Sequence, residues 1–296
     1  MTQTRQEWLE ARRNGLGGSD AAVIMGVNPW TSPYALWCDK RGLLNDADEQ
    51  SERMMWGNKL EGVIAEHYTE VTQRDLKPGS NLQPSTERPH LFANTDRTIA
   101  GFDSRGDGVY EGKTTSVYNK DDWADGKVPL YYQCQGQHYA YVLGLEWGSY
   151  AVLIGGQEFR WSDFDRNEKY LAKYLARADE FWDRVLNDDP PPMDGHASER
   201  AALANLYPEH AEGLTIELPD EAEAWVEILD GAKAAEKAAK GEKARAETLL
   251  RGAMRDALFG RLPDGSGFKL ALETKKEHVR AASSSRVLRR VKKVPA

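Results

Sequence analysis

The sequence predicts an α/β or α+β fold with a mixed central sheet over its first 190 residues, followed by a helical, basic C-terminal region. Three observations carry this. Helix-period and extended segments alternate in the order helix, strands, helix, strands, helix. The run Pro190-Pro191-Pro192 then ends the alternation, as a linker would. Beyond it, Glu221 to Phe259 is rich in Ala, Glu, Lys and Leu, the composition of a long helix. The expected organisation is one domain over 1–193 and a helical appendage over 194–296.

Taken in order, Glu7 to Arg13 reads as a short helix stopped by Asn14-Gly15. The loop Gly15-Leu16-Gly17-Gly18-Ser19-Asp20 places Ser19 or Asp20 to cap a helix from Ala21, which Asn28-Pro29 ends. Ser32-Pro33 starts the next helix, and Asn45 to Ser51 is a polar, mostly acidic loop. Trp56, Leu60, Val63, Ile64, His67 and Val71 recur at helical spacing and mark an amphipathic helix over 53–72. Extended segments follow at His90–Asn94, Thr98–Phe102 and Gly108–Thr115. Pro129 suits the first turn of a helix that runs to Leu143 and stops at Gly144. Ser149–Ile154 and Gln157–Trp161, split by Gly155-Gly156, read as a hairpin. An amphipathic helix carrying Tyr170, Leu171, Tyr174, Ala178 and Phe181 on one side runs up to the prolines. The later long helix is expected to break near Gly231 or Gly241.

Composition removes several function classes. The chain of 296 residues is 40% hydrophobic, enough for a real core, and no apolar run approaches the ~18 residues of a membrane span. No basic start followed by an apolar stretch marks a secretion signal, so a cytoplasmic location is expected. Two cysteines exclude a disulfide framework and a four-thiolate metal or iron–sulfur site. The net charge of −8 is divided: 17 basic and 7 acidic residues from Gly231 onward give +10, leaving −18 for 1–230. From His278 there are six basic residues and no acidic one, a tail suited to phosphate or simply to solvent.

The chemistry concentrates in Asp107-Gly108-Val109-Tyr110-Glu111-Gly112-Lys113-Thr114. In a strand, Glu111 and Lys113 point the same way, roughly 7 Å apart. A carboxylate there can hold a hard divalent cation, and a lysine can position water or neutralise charge building on a phosphate. An E-x-K pair alone is common on exposed edge strands, so the surroundings decide. Asp96 closes a preceding strand and can stand beside Glu111, with Asp103 and Asp107 as competitors for the metal role. Glu61 lies at the border of the apolar stripe of the 53–72 helix, and Gln135 lies within a turn of the apolar face of the 129–143 helix.

The ordered set Trp8…Arg12-Arg13-Asn14-Gly15-Leu16-Gly17-Gly18-Ser19-Asp20, Trp56-Gly57-Asn58-Lys59-Leu60-Glu61, Asn94-Thr95-Asp96, Glu111-Gly112-Lys113 and Gln135-Gly136-Gln137-His138-Tyr139 resembles the lambda-exonuclease or YqaJ-type viral recombinase branch of the PD-(D/E)xK nucleases, over roughly residues 5–190. The resemblance implies a restriction-endonuclease-like core and a site for two Mg2+ or Mn2+ ions. It implies Asp96, Glu111 and Glu61 as metal ligands, Lys113 as the catalytic lysine and Gln135 as a further site residue. It also implies that Ser19 and either Arg12 or Arg13 hold the 5′-terminal phosphate, with Arg12, four residues after Trp8, favoured. Asp96 is followed by Arg97 where the family has glycine, and the interval to Glu111 is long.

The activity implied is 5′-to-3′ degradation of one strand of linear double-stranded DNA, leaving 3′ overhangs for a single-strand annealing protein. Such proteins form homo-oligomeric rings, trimers among them. Three other readings compete. A different PD-(D/E)xK endonuclease and a non-catalytic DNA-binding scaffold both use this fold, and a carboxylate-pair glycosidase does not call for the lysine.

Overall fold

The computed structural model describes residues 5–44, 51–101 and 103–272. Residues 45–50 of the expected acidic loop, Phe102 and the basic tail from His278 lie outside them. The chain forms two compact units, Met1–Pro208 and Glu209–Ala296. The first unit continues past the proline run expected to close it. It takes in α7 (Ala197–Leu206), whose Ser198 hydroxyl accepts from the Ser32 amide at 2.9 Å.

Four helices open the first unit: the short α1 (Arg5–Arg13), α2 (Gly18–Ile24) and α3 (Pro33–Lys40), and the longer α4 (Glu52–Thr72). β1 (Leu76–Pro78), β4 (Arg97–Ile99), β5 (Gly108–Thr115), β6 (Trp147–Ile154) and β7 (Glu158–Asp165) form a five-stranded sheet in the order β1-β4-β5-β6-β7. Only β5 and β6 run parallel, because α5 (Leu130–Leu143) provides the crossover between them. β2 (Gln83–Pro84) and β3 (Phe92–Ala93) form a separate ribbon, and α6 (Glu168–Leu186) follows the sheet. The fold class is therefore as expected: a mixed α/β sheet flanked by helices.

The two faces of the sheet are covered differently. α2, α3, α5 and α6 pack over one face around Val109, with Ala21, Trp37, Ala140, Leu171 and Tyr174 buried. On the other face, Ile64, Ala65 and Tyr68 of α4 meet Ile99, Tyr110, Trp147 and Ala151. Alternation along β5 thus sends Tyr110 to α4 and Glu111 to α5.

Several expectations are corrected in detail. The buried stripe of α4 is Ile64, Ala65 and Tyr68, whereas Trp56, Val63 and Val71 are about half exposed. α2 starts at Gly18 rather than Ala21, so Asp20 acts from inside the first turn, accepting from the Gly17 amide at 2.9 Å. Pro129 is the N-cap of α5, not part of its first turn, while Gly144 ends it in the left-handed region as expected. Strands β1 and β2 were not signalled, since Leu76-Lys77-Pro78 and Gln83-Pro84 carry no apolar alternation. The stretch Val117–Gly126 forms 3-10 turns.

In the second unit, α8 (Ala222–Met254) runs through Gly231 and Gly241 without a break. Its abundant alanines offset a glycine cost of roughly 1 kcal/mol each. Phe259 lies beyond it, in a hairpin of β8 (Phe259–Arg261) and β9 (Gly267–Lys269). Among the described residues, no helix is long and apolar enough to cross a membrane.

One buried polar group ties three elements of the first unit. His138 of α5 is fully buried; its Nε2–H donates to the Phe92 carbonyl at 3.0 Å and its Nδ1 accepts from the Tyr174 hydroxyl at 2.6 Å. Both nitrogens are used by the neutral ring, and burial pulls its pKa down to about 4. As pH falls, the unfolded chain takes up this proton first. The contribution is complete above about pH 6.5 and is lost between 6.5 and 4, on the order of 3 kcal/mol in all. Urea unfolding should show a lower midpoint at pH 5 than at pH 7.5, with a flatter pH slope in His138→Gln. Equal slopes for the two proteins would contradict this account.

Candidate active site

The second half of β5 has an open edge. β4 pairs with β5 only as far as Arg97 opposite Tyr110, whereas β6 follows it to Thr115. Asp96, one residue before β4, reaches across that edge and accepts from the Gly112 amide at 3.1 Å. Glu111, 2% exposed, projects toward α5. Its Oε1 accepts from Lys113 Nζ at 2.5 Å and from Gln135 Nε2 at 2.6 Å. Its Oε2 is buried with no hydrogen-bond partner. Asp96, Gly112 and Lys113 line a cleft of about 600 Å³ together with Glu61 of α4, Tyr132 of α5 and Trp30. The structure therefore brings Glu61, Asp96, Glu111, Lys113 and Gln135 together.

The electrostatics follow from this crowding. Burial, with the Asp96 charge adding to it, pushes the Glu111 carboxyl up to about 8. Burial and then Asp96 also raise Glu61. Burial disfavours the Lys113 ammonium, but the Glu111 and Asp96 carboxylates outweigh it and hold the lysine protonated above its ordinary range. The Lys113 ammonium also lies 4.8 Å from the centre of the Tyr132 ring.

These donors suit a hard cation. The Asp96 carboxylate is near enough for its charge to act on Glu111, and one buried oxygen, Glu111 Oε2, lacks a partner. Among the described residues, no three His, Cys, Asp or Glu side chains close into a cage. Mg2+ does not need one, since it keeps several waters and takes one or two carboxylates plus substrate phosphate. Glu111 and Asp96 fit that role, with Glu61 in the same cleft.

The N-terminal residues assemble around α2, whose Gly18 packs against Gln135 and Tyr139. Arg12 Nη2 donates to the Ser19 hydroxyl at 3.0 Å and lies 3.4 Å from Asp20 Oδ1. Arg13 turns the other way, its Nε 3.8 Å from Asp39. Asp20 is backed by the buried Lys40 ammonium at 2.7 Å, which also donates to the Arg12 carbonyl at 3.1 Å. Burial pushes Asp20 up, and the charges of Lys40 and Arg12 outweigh it, leaving its carboxyl below the usual range. Of the competing aspartates, Asp107 pairs with Lys77 at 3.0 Å in an exposed position. The side chains of Trp8 and Asp103 lie outside the described residues.

Lys40 and Trp30 escaped the sequence reading, and Tyr139 stood within a motif but without a role. Tyr139 is one turn after Gln135 and accepts from its amide at 3.2 Å. Only the i, i+4 spacing of Gln135 and Tyr139 hinted at that contact. Gly18 is what lets α2 approach them. A Cβ there would fall 2.5 Å from the Tyr139 ring and 3.0 Å from Gln135 Cγ. Gly18→Ala should therefore lower the unfolding free energy by about 1–3 kcal/mol through overpacking. Chemical denaturation checks this, and unchanged stability would mean that α2 sits off α5.

Comparison with known proteins agrees with this architecture. Residues 7–146 match the model of the YqaJ-like viral recombinase domain. The Uncharacterized protein YqaJ of Bacillus subtilis (strain 168) is 36% identical over 218 residues, covering 73% of this chain and 67% of that protein. The crystal structure of LHK-Exo, an alkaline exonuclease from Laribacter hongkongensis, has a TM-score of 0.50 to this chain at 17% identity, covering 62% of this chain and 94% of that one. LHK-Exo has also been solved in complex with dAMP, with the same overall similarity. At that identity the likeness is one of fold. With more than a third of its aligned residues shared with YqaJ across two thirds of that protein, the chain belongs to the YqaJ-like viral recombinase family.

Proposed function

We propose that the protein is a Mg2+- or Mn2+-dependent deoxyribonuclease that degrades one strand of linear double-stranded DNA from its 5′ end. The observation that carries this reading is the buried Glu111 carboxylate, held by Lys113 and Gln135 with one oxygen free beside Asp96. A lysine bound to a buried carboxylate at the open end of a strand serves phosphodiester hydrolysis better than acid–base work on a sugar. Membership of a viral recombinase family and a fold shared with an alkaline exonuclease support the same reading.

Each residue then has a task. Glu111 and Asp96 would hold the cation, with Glu61 completing the anionic side of the cleft. Two such ions, when bound, polarise the scissile phosphate and lower the pKa of the attacking water. Gln135 keeps the Glu111 carboxylate oriented. Lys113 stays protonated, so it orients water and balances phosphate charge rather than removing a proton. Arg12 and Ser19 bind the terminal 5′-phosphate, leaving Arg13 to its Asp39 contact. The product is a 3′ overhang, the substrate of a single-strand annealing protein in the cytoplasm of a bacterial host. A homo-oligomeric ring, such as a trimer, would keep the enzyme on its DNA.

Linear duplex labelled at either 5′ or 3′ ends, incubated with and without Mg2+, tests this directly. The 5′ label should be released first, only with the cation. Release of the 3′ label first overturns the polarity, and release in chelator overturns the metal role. Glu111→Ala and Lys113→Ala should each slow degradation by at least about 10²-fold while circular dichroism shows the fold retained. Full activity in either variant overturns the site. Removing the 5′-phosphate from the DNA should slow the wild type but not Arg12→Ala, and equal slowing of both would remove Arg12 from phosphate binding.

A further inference from the structure

Helix α8 carries an apolar seam that is exposed among the described residues. Its 33 residues span about 50 Å at the α-helical rise. The seam runs through Ile228, Ala232, Ala235, Ala239, Ala246 and Leu249, with Glu242 its one charged member. All of these are exposed, Ile228 by 70% and Leu249 by 65%. Steps alternating between three and four residues give a repeat of 3.5, which drifts around a straight helix and stays aligned only against another helix.

The pattern also specifies which helix. Reversing α8 against itself, so that Ala239 meets Glu242, sets each large seam residue opposite a small one. Ile228 then faces the partner's Ala253, and Leu249 the partner's Ala232. Along one flank of the seam, Leu229 meets the partner's Leu250 and Glu236 meets the partner's Lys243, each pair formed twice. Along the other flank, Gly231 meets the partner's Gly252. Both glycines face open space on this helix, although glycine within a helix is destabilising relative to alanine. A parallel pairing instead stacks Glu242 on Glu242 and makes neither contact. Shape and charge are thus self-complementary in one orientation only.

We propose that α8 is a self-association surface, pairing antiparallel with α8 of a second copy of this chain. The interface is independent of the nuclease reading and of any ring formed by the first unit. Glutamate is a good helix former, so Ala235→Glu/Ala239→Glu should leave the circular-dichroism signal of the chain unchanged while halving its mass in sedimentation equilibrium. Equal masses for variant and wild type overturn the proposal, as would be the case if the seam were covered within one chain. Orientation is read by cross-linking, since the natural Cys38 and Cys134 are both buried. Oxidised Ala232→Cys/Leu249→Cys should form covalent dimers, while Ala232→Cys alone should not. Dimers from the single variant overturn the antiparallel arrangement. Glu236→Lys should weaken association at least several-fold and Glu236→Lys/Lys243→Glu should restore it; no restoration overturns the pairing.

Discussion

A carboxylate taken out of water at the end of β5 sets the terms for the rest of the first unit. An unpaired charge at the position of Glu111 would be too costly to bury, so the fold must bring it a cation and a hydrogen-bond donor. Lys113 comes without effort, two residues along the same strand. Gln135 does not, because it lies on the crossover helix, and its contact fixes how α5 rotates over the sheet. That rotation brings Tyr139 under Gly18 and His138 between Phe92 and Tyr174. Much of the packing on this face is thus a consequence of holding one acid in place.

The N-terminal segment answers a second constraint of the same kind. Asp20 is buried with Lys40, and both are joined to Arg12, Asp20 through its carboxylate and Lys40 through its bond to the Arg12 carbonyl. Within the trio, two cations are set against one carboxylate. On the proposed function, this is the part of a strongly negative body that would receive an anionic end group. The composition of this unit gives no long-range attraction for a polyanion, so the proposed function rests on local arrangement.

Much of this was legible in the sequence where the determinants are local. The strand carrying Glu111 and Lys113, the Gly144 stop and the Gly155-Gly156 hairpin follow from alternation and turn residues alone. The face of α4 did not, because Trp56, Val63 and Val71 satisfy the same periodicity as Ile64 and Tyr68, and only the sheet decides between them. Nor did β1 and β2, whose residues earn their place by pairing rather than by pattern. In the site, residue identities came from ordered motifs. Its four-residue spacing from Trp8 favours Arg12 over Arg13, and the contact of Arg12 with Ser19 agrees, since adjacent residues on a helix diverge by about 100°. Lys40 and Trp30 lie in other segments from the motifs, so no spacing could reveal them.

The shortness of β4 has a consequence for solubility as well as for access. A strand left unpaired along half its length is a template on which another chain can add. Here Asp96 takes the first amide along that gap, that of Gly112, and sets a carboxylate beside it. The residue that faces the cleft is therefore also the sheet's terminator. A chain lacking that carboxylate would expose a sticky edge to its neighbours, so Asp96 is constrained by aggregation as well as by chemistry.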